Sequence, residues 1–417
     1  MQVSLIGINH ETAPIALREK AAVSSNRLEE SFLLLRNYVP HGVILSTCNR
    51  TEVYVMDTEP AEEASINFLT AMTGVSFANL LPHIYLRKNK TAVEHLFSVA
   101  AGLDSMIVGE FEILGQVGHA LEVAEKAEMV NLELRHIFQS AVRTGRRVRD
   151  ETGISKNALS VSSVAVDLAT SVVGALENCK VMVIGAGEAG SLVAKVARER
   201  GVSKIVVANR TPERAVTLAA ALGGTTVSLE NLAAELSTVN IVVSCVGSPQ
   251  RILDISHVAT AMKQRPELPL VIIDIAVPRD VEPAVTQVKN VFLYNIDDLT
   301  EISETNRQQR EGETQKAREV TTAEVSKFIS RWRALEVRPV VTALMEKAEE
   351  IRCAQLDKTL KKLHSLSDEE RQSLDAMTKS IVTKILNDPI HYLQENADSN
   401  WDYAEIVSEL FQLNQEK

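Results

Sequence analysis

The chain has 417 residues, a length that predicts roughly two to four domains, each able to bury its own core. Its composition, 45% apolar and 24% charged with only 4% aromatic residues, is typical of a globular, helix-rich protein and argues against an all-β one. The net charge of −11 argues against indiscriminate nucleic-acid binding but allows a local basic patch.

The cysteines and the N-terminus indicate the compartment. Cys48, Cys179, Cys245 and Cys353 lie far apart and form no C-x-x-C pair, which argues against a zinc site or a disulfide framework, so no metal site is predicted. The first residues lack the basic start and the long apolar stretch of a signal peptide, and no uncharged apolar run reaches the roughly 18 residues of a membrane span. We therefore expect a cytoplasmic protein whose cysteines are thiols.

The first 150 residues are expected to form a mixed α/β domain. Apolar periodicity predicts its elements: strands at 2–8, 42–47 and 52–56, and helices at about 25–37, 60–73, 90–101, 115–128 and 131–150. Two strands separated by a long helical stretch and closely followed by a third indicate a small α/β sandwich, whose topology stays open.

Cys48 is the most informative residue of this domain. It lies in Ser46-Thr47-Cys48-Asn49-Arg50, between two apolar, strand-like runs, so its neighbours are polar where a core strand would have apolar ones. This pattern predicts a strand end that faces a polar cleft. Arg50 could lower the pKa of the thiol, and the thiolate is the form that attacks electrophiles. The alternative is a half-exposed cysteine in a hairpin without a chemical role.

Residues 151–297 are expected to form a Rossmann-type domain, entered through a helix at 159–175. Four β-branched runs without alternation, typical of strands buried on both faces, alternate with helical patterns, and a fifth run is the expected last strand. These runs are 181–184, 205–208, 241–244, 270–273 and 291–294.

A glycine-rich loop follows the first of these strands and opens a helix. Its sequence is Gly185-Ala186-Gly187-Glu188-Ala189-Gly190. In this strand–turn–helix setting the motif predicts a dinucleotide site, where the helix N-terminus binds the phosphates. The alternative is a tight turn that binds nothing.

The end of the second strand indicates which nucleotide is bound. An NAD site usually has a carboxylate there, whereas this strand ends in Asn209-Arg210-Thr211. Arg210 can clamp a 2′-phosphate, and its neighbours add neutral hydrogen-bonding groups, so NADPH is predicted over NADH. The alternative is that Arg210 caps the helix that begins at Pro212.

Residues 298–417 are expected to be all-helical, with a long helix at 298–336 that Pro339 interrupts. Apolar residues continue at helical spacing beyond the proline. A long helix with an apolar stripe and no sheet to pack on commonly dimerises, so a homodimer through these helices is predicted. The alternative is an intramolecular helical bundle.

A nicotinamide site and a cleft cysteine together indicate one chemistry. A thiolate attacks an activated acyl group to form a thioester, which a hydride then reduces to an aldehyde. The two centres must approach within about 3–3.5 Å, so the link at 151–175 or a hinge near 297 is expected to bend.

The motifs that carry this chemistry resemble those of the glutamyl-tRNA reductase family. The resemblance rests on the segments 7–14, 45–52, 102–105, 113–117, 185–190 and 274–279, and in layout it extends to the C-terminal helices. It implies an N-terminal catalytic domain, a Rossmann-type NADP-binding domain and a helical dimerisation domain joined by a long helix.

The resemblance also implies the reaction and the residues. NADPH would reduce glutamyl-tRNA(Glu) to glutamate-1-semialdehyde with release of the tRNA, the first step of tetrapyrrole (haem) biosynthesis by the five-carbon pathway, and an aminomutase would take up the product. Cys48 would be the nucleophile, and His95 matches a histidine that the family needs for activity, although its position on an amphipathic helix favours a core or capping role. The positions that match substrate contacts are Thr47, Asn49, Arg50, Ser105, Glu110, Phe111, Glu112 and Gln116.

One position departs from the family, which commonly has glutamine where this chain has Glu112. A contact through the side-chain amide would therefore be lost, whereas a backbone contact would be kept. A basic patch for the tRNA is predicted on the helix at 131–150, which carries Arg135, Arg143, Arg146, Arg147 and Arg149. The alternative is a solvated helix face.

Two other functions compete with this one. An NADP-dependent alcohol dehydrogenase of the shikimate type shares the Asn-Arg-Thr strand end but leaves Cys48 idle and the C-terminal helices unexplained. A non-catalytic NADP-binding dimer that senses redox state or scaffolds partners is the second. Loss of turnover with retained NADPH binding in Cys48→Ser separates the reductase from both.

Overall fold

The computed structural model describes residues 2–24, 27–56, 61–155, 161–248, 250–299, 311–363, 366–395 and 403–413. The chain divides into two compact units, Gln2–Thr322 and Ala323–Lys417. The larger unit contains two sheets, and the smaller unit is helical.

The N-terminal part of the larger unit is built on a four-stranded antiparallel sheet in the order β2-β3-β1-β4. Its strands are β1 (Val3–Asn9), β2 (Gly42–Ser46), β3 (Arg50–Met56) and β4 (Tyr85–Lys88). Its helices are α1 (Ile15–Ala21), α2 (Leu28–Leu35), α3 (Ala61–Thr73), α4 (Phe77–Leu80), α5 (Asn89–Ala100), α6 (Glu112–Lys126) and α7 (Leu132–Glu151).

The sequence predicts three of these strands and five of these helices, but not β4, α1 or the four-residue helix α4. Three of the four residues of β4 are exposed, so this edge strand has no apolar run to reveal it. The short helix α1 starts directly after Pro14 and has no capping side chain. Its N-terminus therefore lacks the capping residue that would have indicated a helix in the sequence.

The nucleotide-binding part has six parallel strands in the order β10-β9-β8-β5-β6-β7, the classic order of a Rossmann fold. The strands are β5 (Lys180–Ile184), β6 (Lys204–Ala208), β7 (Thr225–Val227), β8 (Ile241–Ser244), β9 (Leu270–Asp274) and β10 (Val291–Asn295). The helices are α8 (Val161–Val173), α9 (Glu188–Glu199), α10 (Pro212–Leu222), α11 (Leu232–Leu236) and α12 (Ile255–Gln264).

Alternate residues of the central strands pack into two separate cores, one on each side of the sheet. Val181 and Val183 belong to one core, and Met182 and Ile184 belong to the other. Burial on both faces explains why these strands read as continuous apolar runs. Only the three-residue strand β7 is absent from the sequence-based prediction.

The helical part contains α13 (Glu311–Leu360), α14 (Asp368–Glu395) and α15 (Tyr403–Leu410). The predicted break at Pro339 is wrong, because α13 runs through this residue. A proline inside a helix removes one hydrogen bond, but Val337 and Leu344 on either side are buried, and their packing offsets that loss. The predicted helix at 300–310 lies outside the described residues.

Across the described segments, no single helix has the length and apolar character needed to cross a membrane. One bent pair, Glu62–Thr73 with Phe77–His83, meets the length and composition criteria only when its two helices are taken together.

Candidate active site

Cys48 lies at the tip of the hairpin that joins β2 to β3. The backbone N–H of Thr47 donates to the carbonyl of Arg50 at 2.8 Å and closes the turn. The Thr47 hydroxyl accepts from the N–H groups of Asn49 and Arg50, both at 3.2 Å, and so stabilises the turn from inside. Cys48 is half-buried in this loop, at the end of a strand as the sequence predicts and within the hairpin that the alternative describes.

Arg18, on α1, holds the backbone of the nucleophile candidate. Its Nη1 donates to the carbonyl oxygen of Cys48 at 3.1 Å, and its Nε donates to the carbonyl of Ala13 at 3.3 Å. The Arg18 side chain is buried. The hairpin tip is therefore fixed from below by a cation that lies 30 residues away in the sequence.

The surroundings of Cys48 disfavour the thiolate. Burial, with the carboxylates of Glu110 and Glu112, raises the pKa of Cys48 to about 12, and Arg18 acts in the opposite direction. The expectation that Arg50 lowers this pKa is corrected here, because the cation that acts on the thiol is Arg18.

Arg50 is instead engaged in a buried network. Its Nη1 donates to Glu52 at 2.9 Å and to Asp104 at 2.7 Å, and its Nη2 donates to the carbonyl of Asp104. Its Nε and the Oδ1 of Asn49 are buried without a hydrogen-bond partner among the described residues. Unpaired buried polar atoms are costly, so two of them on the two residues that follow Cys48 are candidates for contacts with a polar ligand.

Glu52 is the centre of this network. Its carboxylate is fully buried and accepts from Arg50, from the hydroxyls of Tyr54 and Tyr85, both at 2.6 Å, and from His95. Burial would raise the pKa of Glu52, but the charges of His95 and Arg50 hold it well below its usual range. Glu52 therefore stays ionised and orients its partners.

His95 faces two carboxylates. Its Nε2 lies 2.8 Å from Oε1 of Glu52, and its Nδ1 lies 3.9 Å from Oδ2 of Asp104. Within the part of the chain that the structure describes, no hydrogen bond joins His95 to Cys48. The ring is buried and hydrogen-bonded to Glu52, which fits the core role that its helix position favours, and it does not cap the helix.

The predicted substrate residues after Asp104 differ in their exposure. Ser105 and Glu110 are buried, Gln116 is half-buried, and Phe111 is 62% exposed. Burial raises the pKa of Glu110, and burial with the charges of Glu110 and Glu188 raises that of Glu112 to about 7. Glu188, the first residue of α9 in the glycine loop, is thus one of the charges that act on Glu112.

The glycine loop has the form that a dinucleotide needs. Gly185 has φ +112°, a conformation that side chains rarely adopt, and a Cβ on Gly190 would lie 1.9 Å from the carbonyl oxygen of Gly185. Gly187 is the N-cap of α9 and offers no side-chain cap, so the first N–H groups of the helix are left for a ligand. The loop therefore fits a pyrophosphate group.

The end of β6 supports the loop and presents a cation. Oδ1 of Asn209 accepts from the N–H of Ala186 at 3.1 Å, and its Nδ2 donates to the carbonyl of Thr211 at 2.9 Å. Arg210 is exposed, and the described residues provide no carboxylate to pair with it. Thr211, not Arg210, is the N-cap of α10, so the capping role that competed with phosphate binding is wrong.

Three of the five arginines of α7 already bind other protein groups, so fewer of them are available to bind phosphates than their number suggests. Arg135 pairs with Glu125 at 2.7 Å, and Arg147 pairs with Glu151 at 2.6 Å. Arg149 donates to the carbonyls of Ala100, Gly145 and Glu110, each at 2.9 Å. The two that remain, Arg143 and Arg146, are exposed, and no described carboxylate pairs with either.

Sequence reasoning missed Arg18, Glu52 and Asp104. Arg18 and Asp104 carry no local signal, because their roles arise from contacts with segments far along the chain. Glu52 has a usable signal: together with Arg50 it places two charges on one face of an otherwise apolar strand.

Comparison with known proteins covers the whole chain. Family models match residues 6–152 as the glutamyl-tRNA reductase N-terminal domain, 167–302 as shikimate/quinate 5-dehydrogenase, and 316–413 as the glutamyl-tRNA reductase dimerisation domain. A glutamyl-tRNA reductase of Natranaerobius thermophilus is 40% identical over 100% of this chain and 93% of its own length. One of Rubrobacter xylanophilus is 40% identical over 99% of this chain and 97% of its own length. The solved structure of the enzyme from Methanopyrus kandleri, 32% identical, covers 96% of this chain and 99% of its own with a TM-score of 0.45.

Proposed function

The chain belongs to the glutamyl-tRNA reductase family, whose members are nicotinamide-dependent oxidoreductases, and from this premise we propose its mechanism. It reduces glutamyl-tRNA(Glu) to glutamate-1-semialdehyde through a thioester on Cys48, the first step of tetrapyrrole biosynthesis. The observation that carries this proposal is the position of Cys48 at a hairpin tip whose backbone is joined by Arg18 to Asp297, just after strand β10 of the nucleotide-binding sheet.

In the first step the sulfur of Cys48 attacks the ester carbonyl carbon of the glutamyl group. A carbon–sulfur bond forms, the bond to the terminal ribose oxygen breaks, and that oxygen takes the proton that the thiol loses. The high pKa of Cys48 means that the thiol must lose its proton as the substrate binds. Arg18, the nearby cation that favours the thiolate, helps this step.

In the second step the thioester is reduced. NADPH, when bound, supplies the hydride that the carbonyl carbon accepts. The carbon–sulfur bond then breaks, the aldehyde leaves, and Cys48 takes up a proton. Cys48 is thus regenerated, and the tRNA has already been freed.

The buried network positions the glutamyl group. Arg50 Nε and Asn49 Oδ1 are the unpaired donor and acceptor next to Cys48, and they suit the carboxylate and the ammonium of the substrate. Glu52 and Asp104 fix the Arg50 guanidinium, so its free edge is presented without loss of side-chain entropy. Thr47, which shapes the turn from inside, contributes to this site indirectly.

The glycine loop and Arg210 support NADPH as the cofactor. The N–H groups at the start of α9 would hold the pyrophosphate, and the unpaired Arg210 would hold the 2′-phosphate. Asn209 stands where a carboxylate would repel that phosphate. Its side chain accepts a hydrogen bond from the glycine loop and so supports it.

The helical domain supports a homodimer. Apolar side chains of α13 and α14 are exposed in the single chain, among them Ile351 (56%), Met377 (51%) and Ile385 (66%). A second copy would remove this surface from water. The cytoplasmic location predicted from the sequence fits a mechanism that needs Cys48 as a reduced thiol.

Trapping of the thioester tests this function. Without NADPH, the peptide containing Cys48 should gain the mass of one glutamyl group from glutamyl-tRNA, and added NADPH should discharge it as the aldehyde. Cys48→Ser should abolish both while it binds NADPH as the wild type does. Cys353→Ser, at an exposed cysteine of the helical domain, is the matched control and should behave as the wild type. Unchanged turnover of Cys48→Ser would refute the thioester.

A further inference from the structure

Two consecutive residues of α1 form ion pairs with the nucleotide-binding part, one as the cation and the other as the anion. Arg18 pairs through Nη2 with Asp297, which follows β10. Glu19 accepts from Nε of Arg279 at 2.7 Å and from its Nη2 at 2.9 Å, a bidentate pair. We call these four residues the α1 clasp.

The Glu19–Arg279 pair is sheltered from solvent, whereas the Arg18–Asp297 pair is buried only on its arginine side, because the Asp297 side chain is 42% exposed. The side chains of Glu19 and Arg279 are 14% and 20% exposed, and that of Arg18 is 3% exposed. Burial would raise the pKa of Glu19, but the hydrogen bonds from Arg279 lower it, so the carboxylate stays ionised at neutral pH. Partly buried pairs with bidentate geometry are screened little by salt and permit one orientation of the partners.

One end of the α1 clasp reaches the nucleophile. The same Arg18 guanidinium that pairs with Asp297 donates from Nη1 to the carbonyl of Cys48. A single planar side chain thus joins the hairpin tip to the end of the nucleotide-binding sheet.

The other end reaches the loops at the carboxyl edge of that sheet, where a nicotinamide would lie. The backbone N–H of Arg279 also donates to Glu19, at 2.8 Å. The next residue, the buried Asp280, accepts from the Ser244 hydroxyl at 2.7 Å and from the N–H groups of Val246 and Ser248 at 2.8 and 3.0 Å. The loop after β8 is therefore bound to Asp280, the residue that follows the one held by Glu19.

We propose that the α1 clasp is a positioning device that holds Cys48 in register with the nicotinamide site, and that hydride transfer depends on its Glu19–Arg279 pair while thioester formation does not. The inference rests on the proposed function. Thioester formation needs the hairpin, the buried network and the tRNA, whereas reduction also needs the second domain at a fixed place. When the Glu19–Arg279 pair is broken, the thioester still forms but is not reduced promptly. Water then hydrolyses it to glutamate and the free Cys48 thiol.

A charge swap tests the clasp. The variants are Glu19→Arg, Arg279→Glu and the double exchange, with Glu19→Gln as a milder change in case a reversed charge prevents folding. Glu29→Arg, an exposed position on α2, is the control for the altered charge. Three quantities are measured: hydrogen exchange of residues 15–21 in the protein without ligands, thioester formation without NADPH, and the ratio of aldehyde to glutamate with NADPH.

Either single reversal should speed exchange at residues 15–21 and lower the aldehyde-to-glutamate ratio roughly tenfold, with thioester formation within about twofold of the wild type. Glu19→Gln should do so more weakly, and the double exchange should restore both. Unchanged exchange in Glu19→Arg, or an equal loss of thioester formation and reduction that the double exchange does not rescue, would overturn the proposal. If the wild type forms no thioester, the proposed function fails, while hydrogen exchange still reports on the clasp.

Discussion

Oε1 of Glu52 lies 2.8 Å from Nε2 of His95 and 2.9 Å from Nη1 of Arg50, so one buried carboxylate orients both the histidine and the arginine of the candidate site. Both partners are nearly inaccessible to water. The hairpin that carries Cys48 and the helix that carries His95 are therefore joined through Glu52.

Glu52→Gln should strongly destabilise the protein. It removes a buried charge and leaves Arg50 and His95 facing a neutral amide, and breaking such a network costs about 3–5 kcal/mol. Urea unfolding should reveal the loss. Glu94→Gln, at an exposed position of α5, is the control and should change the free energy of unfolding by less than about 0.5 kcal/mol. A loss below about 1 kcal/mol for Glu52→Gln would contradict the central role of this carboxylate.

Glu112→Gln should make Cys48 more reactive above neutral pH. The pKa of Glu112 is about 7, so its carboxylate is charged above that pH, and this charge raises the pKa of Cys48. Alkylation of Cys48 by iodoacetamide, followed on the peptide, should be several-fold faster in the variant at pH 8 and should match the wild type below pH 6. Glu122→Gln, at an exposed position of the same helix, should leave both rates unchanged.

The same substitution should alter the pH dependence of stability. The folded-state pKa of Glu112 lies above its ordinary value of 4.5, so the wild type takes up protons on folding between pH 4.5 and about 7. Its stability therefore falls as pH rises through this window. Glu112→Gln should remove that part of the slope, and an identical slope in both proteins would show that Glu112 titrates normally.

Arg210→Ser should weaken NADPH and leave NADH nearly unchanged. A charge-assisted hydrogen bond contributes about 1.5–3 kcal/mol, which corresponds to at least a tenfold rise in the Kd for NADPH. Fluorescence titration with each nucleotide measures the effect. Lys204→Ser, at the opposite end of β6, is the control. Equal weakening of both nucleotides would indicate that Arg210 supports the fold of the loop instead of reading the phosphate.

Arg143→Glu with Arg146→Glu should weaken tRNA binding at low salt. These are the exposed α7 arginines without a described carboxylate partner, so they are the ones able to neutralise phosphates. The slope of log K against log salt should become shallower by about two phosphate contacts. Arg147→Glu, which removes an arginine already paired with Glu151, should have a smaller effect. An unchanged slope in the double variant would exclude α7 as the phosphate-binding element.

Five of the six Rossmann strands and the strand end at Cys48 could be predicted because their signals are local. A strand buried on both faces is continuously apolar, and a polar-flanked cysteine between two strands lies at a hairpin tip. The partners of Cys48 and Arg50 could not be predicted, because Arg18 and Asp104 reach them from 30 and 54 residues away. Pro339 illustrates a different failure: its local preference is for a break, but burial of its neighbours outweighs it.

The two-residue tip between Thr47 and Arg50 also constrains the length of the chain. Arg50, Glu52 and Tyr54 lie on one face of β3 because side chains alternate along a strand. A single residue inserted at the tip, if it shifted β3 by one position, would move all three to the opposite face and separate them from His95 and Asp104. Deletions and insertions at positions 47–50 should therefore disturb the fold far more than substitutions of Cys48 do. Substitutions of Cys48 alter the chemistry but leave this alternation intact.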